Sequence, residues 1–191
     1  NYIQPPMLAG VEEGIVRGMY CLQREDNAQA QLLGSGTILR EVEAAAVILR
    51  EQFKLKINVW SVTSFNELRR EGLEVERWNR LHPTATPRVA YVQSLLADTQ
   101  GPVVAATDYV KLYADQVRQW MPNYYEVLGT DGFGRSDTRA QLRRHFEVDR
   151  AHVVLATLYA LQKTGAISAD VVEKARIQFD IPADKPSPFY S

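Results

Sequence analysis

Residues 29–62 read QAQLLGSGTILREVEAAAVILREQFKLKINVWSV, and this stretch decides the fold. Gln29 to Leu33 predicts a short strand, closed by Gly34-Ser35-Gly36. Ile38, Val42, Ala45, Ala46, Leu49 and Phe53 then recur at helical spacing, with Arg40, Glu41, Glu43 and Arg50 off that stripe. Ile57 to Val62 is a second apolar strand. A strand–helix–strand unit of about 30 residues is the mark of parallel pairing, because a hairpin turn cannot connect parallel strands.

The same alternation continues on both sides. Upstream, Gly14 to Gln23 predicts a strand, followed by the polar turn Arg24-Glu25-Asp26-Asn27. Downstream, Ser64-Phe65-Asn66-Glu67 is a capping box that starts a helix. His82-Pro83 and Thr86-Pro87 mark a loop, and a short helix is expected over 89–97. Pro102 to Ala106 predicts a third parallel strand. Asp108 is expected to begin a helix carrying Tyr109, Leu112, Tyr113, Gln116, Val117 and Trp120 on one face. Tyr125 to Leu128 predicts a fourth parallel strand. The last third is helical, with caps at Ser136 or Asp137, at Asp149 and at Ser168. Strands alternating with helices indicate a three-layer α/β/α sandwich. The domain is expected over 14–181, with a proline- and glycine-rich linker or strap at 1–13 and a loosely ordered tail at 182–191.

The bulk numbers exclude some functions. The chain has 191 residues, 46% hydrophobic and 24% charged, as in an ordinary globular domain. Twenty-two basic residues face 23 acidic ones, so no global field draws nucleic acid or an acidic membrane. No apolar run approaches the roughly 20 residues needed to span a bilayer. The start, Asn1-Tyr2-Ile3-Gln4-Pro5-Pro6, resembles no signal peptide and reads as taken from inside a longer chain, which makes the cytoplasm the default compartment. The single cysteine, Cys21, lies in an apolar stretch and reads as a buried structural thiol.

Two stretches invite a site. Gly34-Ser35-Gly36 lies between strand and helix, where glycines let a phosphate approach a helix amino terminus. The third glycine of the dinucleotide fingerprint is Leu39, however, and no acidic residue ends the strand Ile57 to Val62. A tight turn explains the glycines equally well. Asp131-Gly132-Phe133-Gly134-Arg135-Ser136-Asp137 follows a strand, at the edge where open α/β sheets bind ligands. It reads either as a ligand loop or as a glycine-rich turn with Asp131 and Arg135 paired and Phe133 as an aromatic peg. His82, His145 and His152 show no metal spacing. Trp78, set among charges, reads equally as an interface tryptophan or as a half-buried surface one.

Several long motifs resemble one family in the right order. They are Leu32-Leu33-Gly34-Ser35-Gly36, Val59-Trp60-Ser61-Val62-Thr63-Ser64-Phe65-Asn66-Glu67-Leu68, Glu76-Arg77-Trp78-Asn79-Arg80-Leu81-His82-Pro83, Thr107-Asp108-Tyr109-Val110-Lys111-Leu112 and Val127 to Asp137. Together they look like the end of the homodimeric, bacterial decarboxylase component of the pyruvate dehydrogenase complex, a transketolase-family enzyme. The resemblance implies a transketolase-like carboxy-terminal domain with a five-stranded mixed sheet, its first strand antiparallel to the other four. It implies a parent that decarboxylates pyruvate on thiamine diphosphate with magnesium and passes the acetyl group to lipoyl groups of the dihydrolipoyl acetyltransferase. In that family the two preceding domains hold the cofactor at the dimer interface, through Gly-Asp-Gly and a later Asn-Asn pair. This sequence has neither motif, so no catalytic, cofactor-binding or metal-binding residue carries over to it. The implied partners are the preceding domains, a second subunit and the acetyltransferase.

Three readings follow: a structural and assembly domain of a thiamine enzyme, a regulatory module binding a small molecule near Gly34-Ser35-Gly36 and Asp131, and an independent α/β enzyme. The absence of nucleophile, metal and phosphate-loop motifs argues against the third. The loop Asp131 to Asp137 is expected to serve docking and assembly, with Phe133 and Arg135 as its anchors and Ser136 lacking a base nearby in sequence.

Overall fold

A computed structural model describes residues 6–190. The order is α1 (Glu12–Arg17), β1 (Met19–Gln23), β2 (Ala30–Ser35), a 3-10 turn (Gly36–Ile38), α2 (Leu39–Phe53), β3 (Ile57–Val62), α3 (Phe65–Leu81), α4 (Tyr91–Leu96) and β4 (Val103–Ala106). Then follow α5 (Lys111–Asp115), a second 3-10 turn (Arg118–Trp120), β5 (Tyr125–Leu128), α6 (Arg139–His145), α7 (Arg150–Lys163) and α8 (Ala169–Gln178). The strands form one sheet in the order β1-β3-β2-β4-β5. β1 pairs antiparallel with β3, and the other pairs are parallel. This is the five-stranded mixed sheet that the resemblance implied. The first five residues of the expected strap lie outside the described residues; 6–10 are exposed and carry no helix or strand.

Two apolar clusters flank the sheet. On one face Leu32, Val59 and Val104 pack with Val42 and Leu49 of α2, Val154 and Leu158 of α7, and Ala175 of α8. On the other, Leu33, Trp60 and Ala105 pack with Phe65 and Leu68 of α3, Val92 of α4 and Trp120. Successive residues of a strand point to opposite faces, so central strands covered on both sides must be apolar throughout. β2 and β3 are buried along their whole lengths. Gln31 among the polar exceptions is paired: its amide oxygen accepts from Asn58 Nδ2 at 3.0 Å and from Trp60 Nε1 at 3.1 Å.

Some expectations need correction. The stretch expected as one strand over 14–23 begins as helix α1. Glu12 and Glu13 at its amino end and Arg17 at its carboxyl end suit the helix dipole, and Gly18 at φ +100 ends it. The helix expected from Asp108 starts only at Lys111 and lasts five residues. Tyr109 and Leu112 are exposed rather than on a core stripe. The cap of α6 is Thr138, whose hydroxyl accepts from Gln141 N; Asp137 instead accepts from Thr138 N at 2.6 Å. Ser64 caps α3 as expected, but Glu67 pairs with Arg70 instead of completing the box. Cys21 is half-buried, and burial raises its thiol above the ordinary range.

Candidate functional site

The strand order reverses direction at β2. Its chain successor β3 lies on one side, and β4, reached next, lies on the other. The crevice at the carboxyl ends of β2 and β4 is therefore the switch point where open α/β sheets bind ligands. Both stretches singled out in the sequence reach this edge, one after β2 and the other after β5.

Gly34 is buried, and a Cβ there would stand 2.7 Å from the Leu39 Cα, so the glycine admits the start of α2. The Ser35 hydroxyl donates to Thr107 Oγ1 at 2.9 Å and ties the two strand ends together. Gly36 takes φ +55, which glycine adopts without strain. The Asp108 carboxylate sits beside it: Thr37 Oγ1 donates to Asp108 Oδ2 at 3.2 Å. A carboxylate thus stands where a phosphate would approach this turn, so the glycines build a tight, internally satisfied corner and not a dinucleotide cradle.

Asp131 does not pair with Arg135. Its Oδ1 accepts from Lys111 N at 2.9 Å, while Thr130 N donates to the Tyr109 carbonyl at 2.8 Å, so the loop after β5 is stitched to the loop before α5. Gly132 adopts φ +108 and lies against the Pro188 carbonyl of the tail. Phe133 is 82% exposed and plugs no hollow in this chain. Arg135, Ser136 and Asp137 are exposed as well.

Thr37, Asp108, Thr130, Gly132 and Arg135 line one pocket of about 380 Å³. Gly132, Gly134 and Arg135 of the second stretch line it, while the first stretch reaches it only through the next residue, Thr37. The structure adds Thr37, Asp108 and Thr130, which the sequence reading had assigned to a helix start or passed over. The signal was a polar residue two positions past the end of each of β2, β4 and β5. Arg135 also lines a second cleft, with Ser136, His145 and His152. Ser136 hydrogen-bonds neither histidine, so no nucleophile–base pair is assembled. Among the described residues no three His, Cys, Asp or Glu side chains are grouped to hold a metal ion. The donor set of the described residues does not fit a magnesium–diphosphate site. Among the described residues no helix is long and apolar enough to cross a membrane.

Buried charge holds the helical layer to this edge. Glu41 of α2 accepts from Arg143 Nη1 at 2.8 Å and from Arg150 Nε at 2.9 Å. Burial alone would raise its carboxyl, but the Arg150 hydrogen bond and the two guanidinium charges outweigh that and hold it below the usual range.

A family model described as the transketolase-like TK C-terminal domain matches residues 18–149. The chain is 57% identical to the pyruvate dehydrogenase E1 component of Pseudomonas aeruginosa, over 98% of this chain and 22% of that protein. It is 52% identical to the pyruvate dehydrogenase E1 component of Escherichia coli K12, over 98% of this chain and 21% of that one. The chain thus spans about a fifth of the length of these curated relatives. Among solved structures, transketolase from Leishmania mexicana superposes with a TM-score of 0.55 at 20% identity, covering 79% of this chain and 19% of that one. A transketolase from Pichia stipitis superposes with a TM-score of 0.56 at 17% identity, covering 82% and 21%. These structural likenesses concern the fold.

Proposed function

The chain belongs to the family of transketolase-like C-terminal domains, and on that premise we propose that it is the carboxy-terminal domain of a pyruvate dehydrogenase E1 component. The observation that carries this reading is the similarity to those E1 components, which runs through nearly the whole chain. The parent enzyme decarboxylates pyruvate on thiamine diphosphate with magnesium and acetylates lipoyl groups of the dihydrolipoyl acetyltransferase. It acts in the cytoplasm as a homodimer. The preceding domains hold the cofactor, and this domain, at 14–181, supplies assembly surface.

Its surface chemistry supports that division of labour. Tyr109, Val110 and Leu112 are 60%, 52% and 73% exposed, and the loop bearing Phe133 is hydrogen-bonded to theirs. Large exposed apolar side chains gathered on adjoining loops suit an interface with the preceding domains or the second subunit. The runner-up, a regulatory small-molecule module, draws on the pocket at the strand ends. Asp108 beside Gly36 weighs against an anion at that turn.

The test has two parts. The full-length protein, supplied with thiamine diphosphate and magnesium, is expected to acetylate lipoyl domains from pyruvate; absence of turnover would overturn the parent assignment. Calorimetry of the 191-residue chain with the same cofactors is expected to show no binding. Micromolar affinity there would overturn the assignment of this domain to assembly.

A further inference from the structure

We propose that the cleft between α6, the first turn of α7 and the carboxy-terminal tail binds a phosphate group, as inorganic phosphate or as a phosphomonoester. The cleft encloses about 420 Å³, and both His145 and His152 line it. The Nε2 atoms of both rings are buried and hydrogen-bond to nothing in the protein. Buried polar atoms are nearly always satisfied, and one without a partner marks a place where a water, an ion or a ligand belongs.

His152 defines what that ligand must offer. It is only 7% exposed, and its Nδ1 lies 2.7 Å from Asp149 Oδ1. Burial alone would raise the Asp149 carboxyl, but the hydrogen bonds from His152 hold it below the usual range and ionised. A carboxylate only accepts, so Nδ1 carries a ring proton, and in the tautomer with that single proton Nε2 presents a bare lone pair. A ligand that meets this tautomer donates a hydrogen bond there.

The charges of the cleft define the rest. Arg135, Arg144 and Lys185 line it, against Asp137 and Asp180. Lys185 Nζ donates to the carbonyls of Arg144 and His145 and to Glu147, and Arg144 Nη2 to the carbonyls of Phe179 and Asp180. These two supply positive field but few free donors. Arg135 is exposed and, among the described residues, has no hydrogen-bond or ion-pair partner, so its planar fork is open. His145 is held neutral by burial and by the charges of Arg135 and Lys185, against Glu147. A carboxylate ligand would satisfy Arg135 but has no proton for His152. A protonated phosphate does both: its charged oxygens accept from Arg135 in a bidentate manner, and its P–OH donates to Nε2.

The experiment is calorimetry on the full-length protein with inorganic phosphate, methyl phosphate and sulfate, repeated on the Arg135→Ala, His145→Gln and His152→Gln variants. Each substitution is expected to weaken phosphate binding by about tenfold or more, the loss of one charge-assisted or buried hydrogen bond. Sulfate, which has no proton to donate near neutral pH, is expected to bind at least as poorly to the wild type. Tighter binding of methyl phosphate than of phosphate would name a phosphomonoester as the source, and the reverse would name free phosphate. Arg135 is exposed, so its variant tests the idea even if His152→Gln fails to fold. Unchanged phosphate binding in Arg135→Ala, or sulfate binding as tightly as phosphate, would overturn the proposal.

Discussion

Glu41, near the start of α2, accepts hydrogen bonds from Arg143 of α6 and from both the backbone and the side chain of Arg150 at the start of α7. One buried carboxylate thus joins three helices that are far apart in sequence. Removing one partner of a buried ion pair typically costs about 3–5 kcal/mol; here Arg143 stays largely buried but the Arg150 side chain is 54% exposed and rehydrates, so the cost is expected at or below about 3 kcal/mol. Glu41→Ala is expected to lower stability by that order, read as a drop in the denaturation midpoint with an unchanged slope. The pH dependence follows from the lowered carboxyl. Its contribution is fully present above the ordinary glutamate value, roughly 4.3, and is lost as pH falls through the lower folded value. In Glu41→Ala this acid-side loss should be smaller than in the wild type; an identical acid limb would argue against it.

Phe133 is expected to act as an interface anchor. A large side chain 82% exposed on a glycine-flanked loop has little to do within this chain. Buried aromatic anchors at interfaces commonly contribute about 2 kcal/mol or more. Phe133→Ala in the full-length protein should weaken subunit or interdomain association by about thirtyfold, measured by sedimentation. Turnover per assembled dimer should be preserved. A hundredfold loss of turnover with assembly intact would place the loop in the chemistry instead.

The sheet was legible because its strands are short apolar runs bounded by turn residues. Ile57 to Val62 and Tyr125 to Leu128 were read to the residue. The first segment was misread because Ile15, Val16 and Met19 look equally apolar in a helix and a strand; only the left-handed Gly18 separates the two. The region after Asp108 was misread for a different reason. Its apolar spacing is helical, but the Thr107 hydroxyl accepts from Tyr109 N and Asp108 bonds Thr37, so the polar groups that would start a helix join strand ends instead. At the site, sequence reading found both loops. It could not tell that the loop after β5 shares a pocket with Thr37, next to Gly36, nor that His145 and His152, seven positions apart on successive helices, line one cleft. That proximity is set by the corner between α6 and α7, where Glu147 takes φ +61.

Gly132 is expected to govern the tail. Its φ of +108 is disfavoured for any side chain, and a Cβ there would stand 2.1 Å from the Pro188 carbonyl oxygen. Gly132→Ala must push the tail off the loop. Limited proteolysis should then cut within 182–190 faster than in the wild type, while the cleavage pattern of the sheet and helices is retained. Equal cutting rates would show that the loop yields and the tail does not.

Gly72 lies in the middle of α3, where glycine costs about 1 kcal/mol relative to alanine in an exposed helix. Propensity alone therefore predicts that Gly72→Ala stabilises the protein. The packing predicts the opposite. A Cβ at this position would approach the Trp120 ring to 2.6 Å, and Trp120 is 3% exposed, wedged between α3 and the sheet. The ring is rigid, so admitting the methyl group requires moving either the helix or the second 3-10 turn. Overpacking of this kind typically costs about 1–3 kcal/mol, which exceeds the helix-propensity gain at its upper end and roughly cancels it at its lower end. Gly72→Ala is accordingly expected to be destabilising or neutral by chemical denaturation. The paired variant Gly72→Ala with Trp120→Leu should recover stability relative to Trp120→Leu alone, because the smaller side chain leaves room for the added methyl. A single Gly72→Ala variant more stable than the wild type by the full propensity value would mean that the tryptophan is free to move aside.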